Sequence, residues 1–140
     1  MDRYISRDFY RFVRITYPLR GLVAFLSRSL LALRGKRILL VFGLSRSGTT
    51  MLGRFLSLPP ACAYIHEPDT ELMKFRFGQD RLGDQAGFWK FVYSEGQKAF
   101  RVHGLVCVTL MAALDAPRDI ETICIKPISL TDVMPQVSAA

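Results

Sequence analysis

The sequence predicts an α/β domain with a doubly wound parallel sheet, preceded by basic amphipathic helices. Apolar runs of strand length occur at residues 38–42, 61–66 and 122–125. Segments with apolar residues at helical spacing lie between these runs, and this alternation is typical of a parallel sheet. Because such sheets carry helices on both faces, we expect the first strand to be buried on both sides. We place the α/β domain at residues 37–140 and the basic helical segment at residues 1–36.

The composition indicates one ordinary globular domain. Of the 140 residues, 50% are hydrophobic and 22% are charged, which excludes disordered, collagen-like and low-complexity proteins. The cysteines form no C-x-x-C pair, so they indicate neither a disulfide framework nor a zinc site. Each lies among apolar neighbours, and we expect three reduced core residues in a cytoplasmic protein: Cys62, Cys107 and Cys124.

Membrane spans and signal peptides are not expected. The longest run without a charged residue has thirteen residues, from Val102 to Leu114, whereas a membrane-spanning helix needs ~20. Arginines interrupt the apolar residues near the N-terminus, so the uninterrupted apolar core of a secretory signal is missing.

The net charge of +7 belongs to one segment. Residues 1–37 contain eight Arg and one Lys against two Asp, and residues 38–140 are balanced. A nucleic-acid-binding face usually spreads its charge over the fold together with base-reading side chains. We therefore expect no nucleic-acid partner.

This basic segment has helical periodicity. Its first helix is predicted from apolar residues on one side and arginines on another, namely Ile5, Phe9, Phe12 and Val13 against Arg3, Arg7, Arg11 and Arg14. A second stripe, closed by Gly35 as C-cap, consists of Leu22, Val23, Leu26, Leu30 and Leu33. Two compatible interpretations stay open. Both helices pack on the domain that follows, or their Arg-rich faces lie on a partner protein or an anionic membrane, peripherally at its inner surface.

The first predicted strand ends at Gly43 and leads through a glycine-bounded loop into an apolar helix. Such a turn directs backbone N–H groups and a helix N-terminus into one small space, where they bind an anion. The spacing from Gly43 to Gly48 matches the first half of the P-loop motif, but Thr49 stands where a nucleoside triphosphatase needs lysine. Thr50 matches the Ser/Thr of the motif, and Arg46 supplies a guanidinium suited to phosphate or sulfate oxygens.

The sequence VFGLSRSGTTML at residues 41–52, with Pro60 and the run His66-Glu67-Pro68, resembles the 5′-phosphosulfate loop and first two strands of sulfotransferases that use 3′-phosphoadenosine 5′-phosphosulfate (PAPS). The likeness is greatest to bacterial and carbohydrate-type members, covers residues 36–69, and extends more loosely over residues 121–138. It implies PAPS as the sulfuryl donor and a hydroxyl or amine acceptor on a carbohydrate, lipid or small molecule. It also implies that the phosphosulfate is held by Arg46, Ser47, Gly48, Thr49 and Thr50.

Sulfuryl transfer needs a base that takes the acceptor's proton. Glu67 follows the second predicted strand, and open α/β sheets bind ligands at the carboxyl ends of their strands. The resemblance implies that Glu67 deprotonates the acceptor or helps to bind it, and a surface carboxylate beside a turn is the alternative. His66 is the other candidate base, but strand alternation predicts that it faces away from Glu67.

Lys126 ends the third predicted strand, where nucleoside triphosphatases have a magnesium-binding aspartate. In cytosolic sulfotransferases such a lysine precedes a catalytic histidine by two residues, whereas this chain has Ile128 there and departs from the histidine mechanism. We expect Lys126 to contact the donor's bridging oxygen as sulfate leaves, with Glu67 as base, and a solvated or salt-bridged lysine is the alternative. No metal is expected, and His103 is expected to be structural.

The rest of the chain says less about function. A helix end near Phe77 and the glycine-containing loop up to Gly87 suggest a place for acceptor contacts. The family's sheet continues with a strand and residues that hold the donor's 3′-phosphate, which are missing here. We interpret the chain as the N-terminal half of a sulfotransferase, weakly active or inactive by itself. Two alternatives stay open: a P-loop nucleotide kinase, which requires magnesium and a nucleoside triphosphate, and a non-enzymatic remnant that binds anionic membrane.

Overall fold

The computed structural model describes residues 6–41, 48–56 and 62–127. The helices are α1 (Arg7–Thr16), α2 (Arg20–Leu33), α3 (Thr49–Leu56), α4 (Pro68–Phe77), α5 (Gln85–Val92) and α6 (Lys98–Asp115). The strands are β1 (Arg37–Leu40), β2 (Cys62–His66) and β3 (Thr122–Lys126). Short 3-10 turns at Tyr17–Leu19, Gln79–Arg81 and Glu95–Gln97 link the helices. The helix end predicted near Phe77 is confirmed, and Gly78 follows it with a φ of +113°.

The three strands form one parallel sheet in the order β1-β3-β2. The last of the described strands, β3, is therefore central, and its Cys124 is paired with Leu39 on one side and Tyr64 on the other. Ile123, Cys124 and Ile125 are fully buried. A mixed α/β fold with a parallel sheet is thus confirmed.

The prediction that the first strand is buried on both sides is wrong. Ile38 and Leu40 are half-buried, while Leu39 is exposed. The physical reason is position, because β1 pairs with β3 along one edge and has no described strand along the other. A buried apolar strand is the property of β3 instead, since it has neighbours on both sides.

Helices cover both faces of the sheet. On one face α3 lies against β2 and β3, where Gly53 meets the ring of Tyr64 and its carbonyl oxygen lies 3.9 Å from Cys124 Sγ. On the other face Ile65, Ile123 and Ile125 join the main hydrophobic core. That core is completed from the helices by Leu72, Met73, Phe88, Val92, Phe100, Leu105 and Val108.

The two N-terminal helices pack into the same core. Ser6 caps α1 by accepting a hydrogen bond from the N–H of Phe9 at 3.1 Å. Phe9 and Val13 of α1 and Val23 of α2 are buried members of the core. Packing of both helices on the domain is therefore confirmed.

The apolar stripe predicted for α2 is not its buried face. Of the five residues proposed, Val23 is buried, Leu30 is half-buried, and the others are exposed: Leu22, Leu26 and Leu33. The helix is rotated so that Val23 and Ser27 point inward. Gly35 follows the helix with a φ of +61°, as expected beyond a C-cap.

Two of the three cysteines are core residues. Cys107 and Cys124 are buried, whereas Cys62 is partly exposed at the start of the edge strand β2, contrary to expectation. None of the three forms a disulfide bond. In the described part of the chain, none of the helices combines the length and apolarity needed to cross a bilayer.

Candidate functional site

The candidate site lies at the carboxyl edge of the sheet, where parallel strands end together. His66, the last residue of β2, is paired with Lys126, the last residue of β3. The N–H of Glu67, directly after β2, donates to the carbonyl oxygen of Lys126 at 2.6 Å. The backbone thus places both sequence-predicted catalytic residues side by side.

Their side chains also meet. The Lys126 ammonium donates to Glu67 Oε1 as a hydrogen-bonded ion pair. The Lys126 side chain is 11% exposed and that of Glu67 is 32% exposed, so the cation is largely buried while the carboxylate reaches solvent. Thr70 Oγ1, in the first turn of α4, lies 3.5 Å from Glu67 Oε2. Lys126 is therefore salt-bridged, and its partner is Glu67, the candidate base.

Glu67 adopts a left-handed backbone conformation, with φ +43° and ψ +52°. This conformation is uncommon for a residue other than glycine and costs about 1 kcal/mol or more. Pro68, the first residue of α4, disfavours the right-handed helical region at Glu67 and favours extended backbone, so the proline does not explain the left-handed conformation. Glu67 is held on both sides instead, since its N–H donates to the carbonyl oxygen of Lys126 and its own carbonyl oxygen accepts from the N–H of Thr70. The chain thereby turns from strand into helix within one residue.

This turn corrects the predicted orientation of His66. Alternation along a continuous strand would put His66 and Glu67 on opposite sides. Because Glu67 is not extended, its Oε2 lies 3.9 Å from His66 Nε2 instead. Both side chains thus face the same space at the sheet edge.

Tyr64 extends the cluster by one hydrogen bond. Its hydroxyl lies 3.1 Å from His66 Nδ1, on the same face of β2. Partial burial, with Cys124 and Glu67 as further contributors, raises the pKa of Tyr64 above its usual value of 10.0, although Arg54 acts in the opposite direction. Tyr64 therefore keeps its proton at neutral pH. When it donates to Nδ1, the imidazole proton lies on Nε2, the nitrogen that faces Glu67.

Gly53 allows this arrangement. A Cβ atom at Gly53 would lie 2.8 Å from Cε2 of Tyr64, closer than packed atoms approach. Sequence reasoning missed both residues, although each carried a signal. Tyr64 lies two residues before His66 and so shares its face of the strand, and a glycine inside an apolar helix indicates close packing.

The predicted phosphosulfate loop is described only in part. Arg46 and Ser47 lie outside the described residues. Gly48 is exposed with a φ of +82°, and its carbonyl oxygen accepts a hydrogen bond from the N–H of Leu52 at 3.0 Å. Thr49 and Thr50 form the start of α3. Because α3 leads from the end of β1 toward the start of the parallel β2, its N-terminus points toward the carboxyl edge, where Glu67 and Lys126 lie.

His103 is structural, as expected. It is buried between α1 and α6, where its Nε2 lies 3.0 Å from Thr16 Oγ1 and 3.4 Å from Cys107 Sγ. Burial lowers the pKa of His103 and raises the pKa of the Cys107 thiol to about 11. Both groups are therefore neutral at pH 7, and the thiol is a poor nucleophile.

Among the described residues, no group of three or more His, Cys, Asp or Glu side chains is arranged to hold a metal ion. Comparison with known proteins yields no matching family model, no matching curated protein and no matching solved structure.

Proposed function

We propose that this chain carries the phosphosulfate-binding region of a sulfotransferase, which transfers a sulfuryl group from PAPS to a hydroxyl or amine acceptor. The acceptor belongs to a carbohydrate, lipid or small molecule. The observation that carries the proposal is the contact between Lys126 and Glu67 at the carboxyl edge of the parallel sheet. A largely buried cation and a partly exposed carboxylate are the groups that this chemistry needs, and the sequence of residues 41–52 resembles a phosphosulfate loop.

A fold assignment accompanies this proposal. We propose that residues 37–140 belong to a P-loop-like, doubly wound sheet. In favour of it, β1 and β2 are separated by β3, and helices lie on both faces. In open sheets of this kind, ligands bind beyond the carboxyl ends of the strands.

The donor would be held by the loop and by Lys126. Backbone N–H groups at the start of α3 and the Arg46 guanidinium suit the phosphosulfate oxygens. The ammonium of Lys126 has three N–H donors, and Glu67 Oε1 takes one of them. Lys126 therefore has donors left for the oxygen that bridges phosphorus and sulfur, where negative charge develops as that bond breaks.

Glu67 would act on the acceptor. Its carboxylate takes the proton of the attacking hydroxyl while the acceptor oxygen forms the new S–O bond and the old S–O bond to phosphate breaks. The products are the sulfated acceptor, 3′-phosphoadenosine 5′-phosphate and protonated Glu67, which returns its proton to solvent. His66, hydrogen-bonded to Tyr64 and 3.9 Å from Glu67 Oε2, would hold the carboxylate in place.

Calorimetric titration with 3′-phosphoadenosine 5′-phosphate, the product of the proposed donor, tests the proposal. We expect binding without magnesium, weakened about tenfold or more in Arg46→Ala, since a charge-assisted hydrogen bond is lost. Arg37→Ala is the matched control, because Arg37 is exposed at the opposite, amino end of β1. Preference for ATP with magnesium would favour a nucleotide kinase, and no binding of either nucleotide would contradict both functions.

A further inference from the structure

The outward face of α2 is apolar and exposed. Leu22, Phe25, Leu26 and Leu33 recur at helical spacing and are 46–85% exposed, and Leu19 and Ile15 extend the same kind of surface toward α1. We call the residues Leu19, Leu22, Phe25, Leu26 and Leu33 the α2 stripe. Large apolar side chains that are exposed together indicate an interaction surface.

The described part of the domain leaves this stripe exposed. At 100° per residue, Phe25 lies opposite the buried pair Val23 and Ser27. The other α2 members of the stripe lie along one flank of the helix, beside the buried face: Leu22, Leu26 and Leu33. The neighbouring helix α1 buries Phe9 and Val13 of its predicted apolar face in the core and leaves Ile15 exposed. Of the two N-terminal helices, α2 therefore presents the larger exposed apolar surface.

The stretch of sequence that contains the stripe is strongly basic. From Phe9 to His66 the sequence contains no Asp or Glu and nine Arg or Lys residues. Arg14 is exposed on α1, where Arg11 pairs with Asp8 at 3.7 Å, and Arg28 is exposed at the border of the α2 stripe. A second copy of this chain would bring the same positive charge against itself, which disfavours self-association through this face.

We propose that the α2 stripe docks on the surface of an anionic lipid bilayer, with α2 lying in the interfacial plane. An apolar helix face flanked by arginines matches both parts of such a surface, because the acyl boundary takes the apolar side chains and the phosphates attract the cations. This docking does not depend on the proposed sulfotransferase activity.

Co-sedimentation with vesicles tests the docking. We expect the purified chain to sediment with vesicles that contain about one-third phosphatidylglycerol and not with vesicles of phosphatidylcholine alone. The double variant Phe25→Ser/Leu26→Ser should bind the anionic vesicles about tenfold less tightly or worse, because it removes two large apolar side chains from the interface. Replacing Arg14 and Arg28 by Gln should also weaken binding, most strongly at low salt.

Phe55→Ser is the matched control. Phe55 lies on α3, across the sheet from α2, and is 67% exposed, compared with 65% for Phe25. The control should sediment like the unchanged chain. The proposal is overturned if the folded chain ignores anionic vesicles, if Phe55→Ser reduces binding as much as the stripe variant, or if the stripe variant instead converts a dimer into a monomer.

Discussion

Glu67 and Lys126 are joined twice, once through the backbone and once through their side chains. The N–H of Glu67 donates to the carbonyl oxygen of Lys126 at 2.6 Å, and the Lys126 ammonium donates back to Glu67 Oε1. The backbone bond fixes where β2 ends relative to β3, so the side-chain pair forms at a defined place on the sheet edge. Disturbing either residue should therefore affect stability as well as the candidate site.

The first prediction concerns this ion pair. Glu67→Gln leaves the largely buried Lys126 ammonium without its carboxylate, and we expect a loss of about 1–2 kcal/mol in the free energy of unfolding. Lys126→Met leaves the more exposed Glu67 carboxylate without its partner and should lower the free energy of unfolding by less. In the double variant the two losses should not add, because the buried ammonium that Glu67→Gln leaves unpaired is no longer present. Urea unfolding of all four proteins measures the coupling, and additive losses would contradict it.

The second prediction concerns the left-handed backbone of Glu67. Asn tolerates positive φ, whereas a β-branched residue does not. Both Glu67→Asn and Glu67→Val remove the ion pair, so their difference reports the backbone. We expect Glu67→Val to be less stable than Glu67→Asn by about 1 kcal/mol in chemical unfolding. Equal stability would mean that residue 67 does not hold this conformation in solution.

The third prediction concerns Gly53. Alanine is the better helix former by up to about 1 kcal/mol, but its Cβ would lie 2.8 Å from the Tyr64 ring. We expect the clash to outweigh the gain and Gly53→Ala to lose about 1 kcal/mol. Gly21→Ala in α2, where a Cβ would meet nothing within 4 Å, should be neutral or stabilising. The double variant Gly53→Ala/Tyr64→Leu removes the ring and should recover the lost stability. If it does not, contact with the Tyr64 ring is not the cause of the loss in Gly53→Ala.

The fourth prediction concerns pH and the cluster of Thr16, His103 and Cys107. Burial lowers the pKa of His103. The contribution of neutral His103 to stability is therefore fully present above the usual pKa of 6.5 and is lost as the pH falls below that value and through the lowered pKa. The pKa of Cys107 is raised from 9.0 to about 11. Its contribution is present below pH 9 and is lost as the pH rises toward 11, by about 2 kcal/mol.

Unfolding midpoints measured across pH check this window. Stability should be highest between the two limits. Cys107→Ala should flatten the alkaline decline and leave the acid one, whereas His103→Gln should flatten the acid decline. Unchanged pH profiles in these variants would show that other groups control stability.

Local signals predicted much of the fold. The apolar run at Thr122–Ile125 and the helical spacing after Thr49 each produced the expected element. Strand order could not be predicted in this way, because it depends on which strands pair across the chain. For the same reason the apolar run at β1 did not predict that β1 lies at an edge of the described sheet, with Leu39 exposed. The central strand is β3.

The candidate site was predictable by position and not by orientation. Glu67 follows β2 and Lys126 ends β3, so the sequence placed both at the carboxyl edge of a parallel sheet, while their contact depends on β2 and β3 being neighbours, which the structure shows. The side of the sheet that Glu67 faces depends on one backbone angle, and alternation fails where that angle becomes positive. On α2, apolar periodicity identified a stripe, but it could not distinguish the face that packs from the face that stays exposed.

The most direct test of the central claim is an amide NMR titration with 3′-phosphoadenosine 5′-phosphate, the product of the proposed donor. We expect saturable shifts at Gly48, Glu67 and Lys126 at the carboxyl edge, with the amides of Val13 and Val23 in the basic helices unchanged. Absence of shifts at the sheet edge, or shifts confined to the arginine-rich helices α1 and α2, would contradict it.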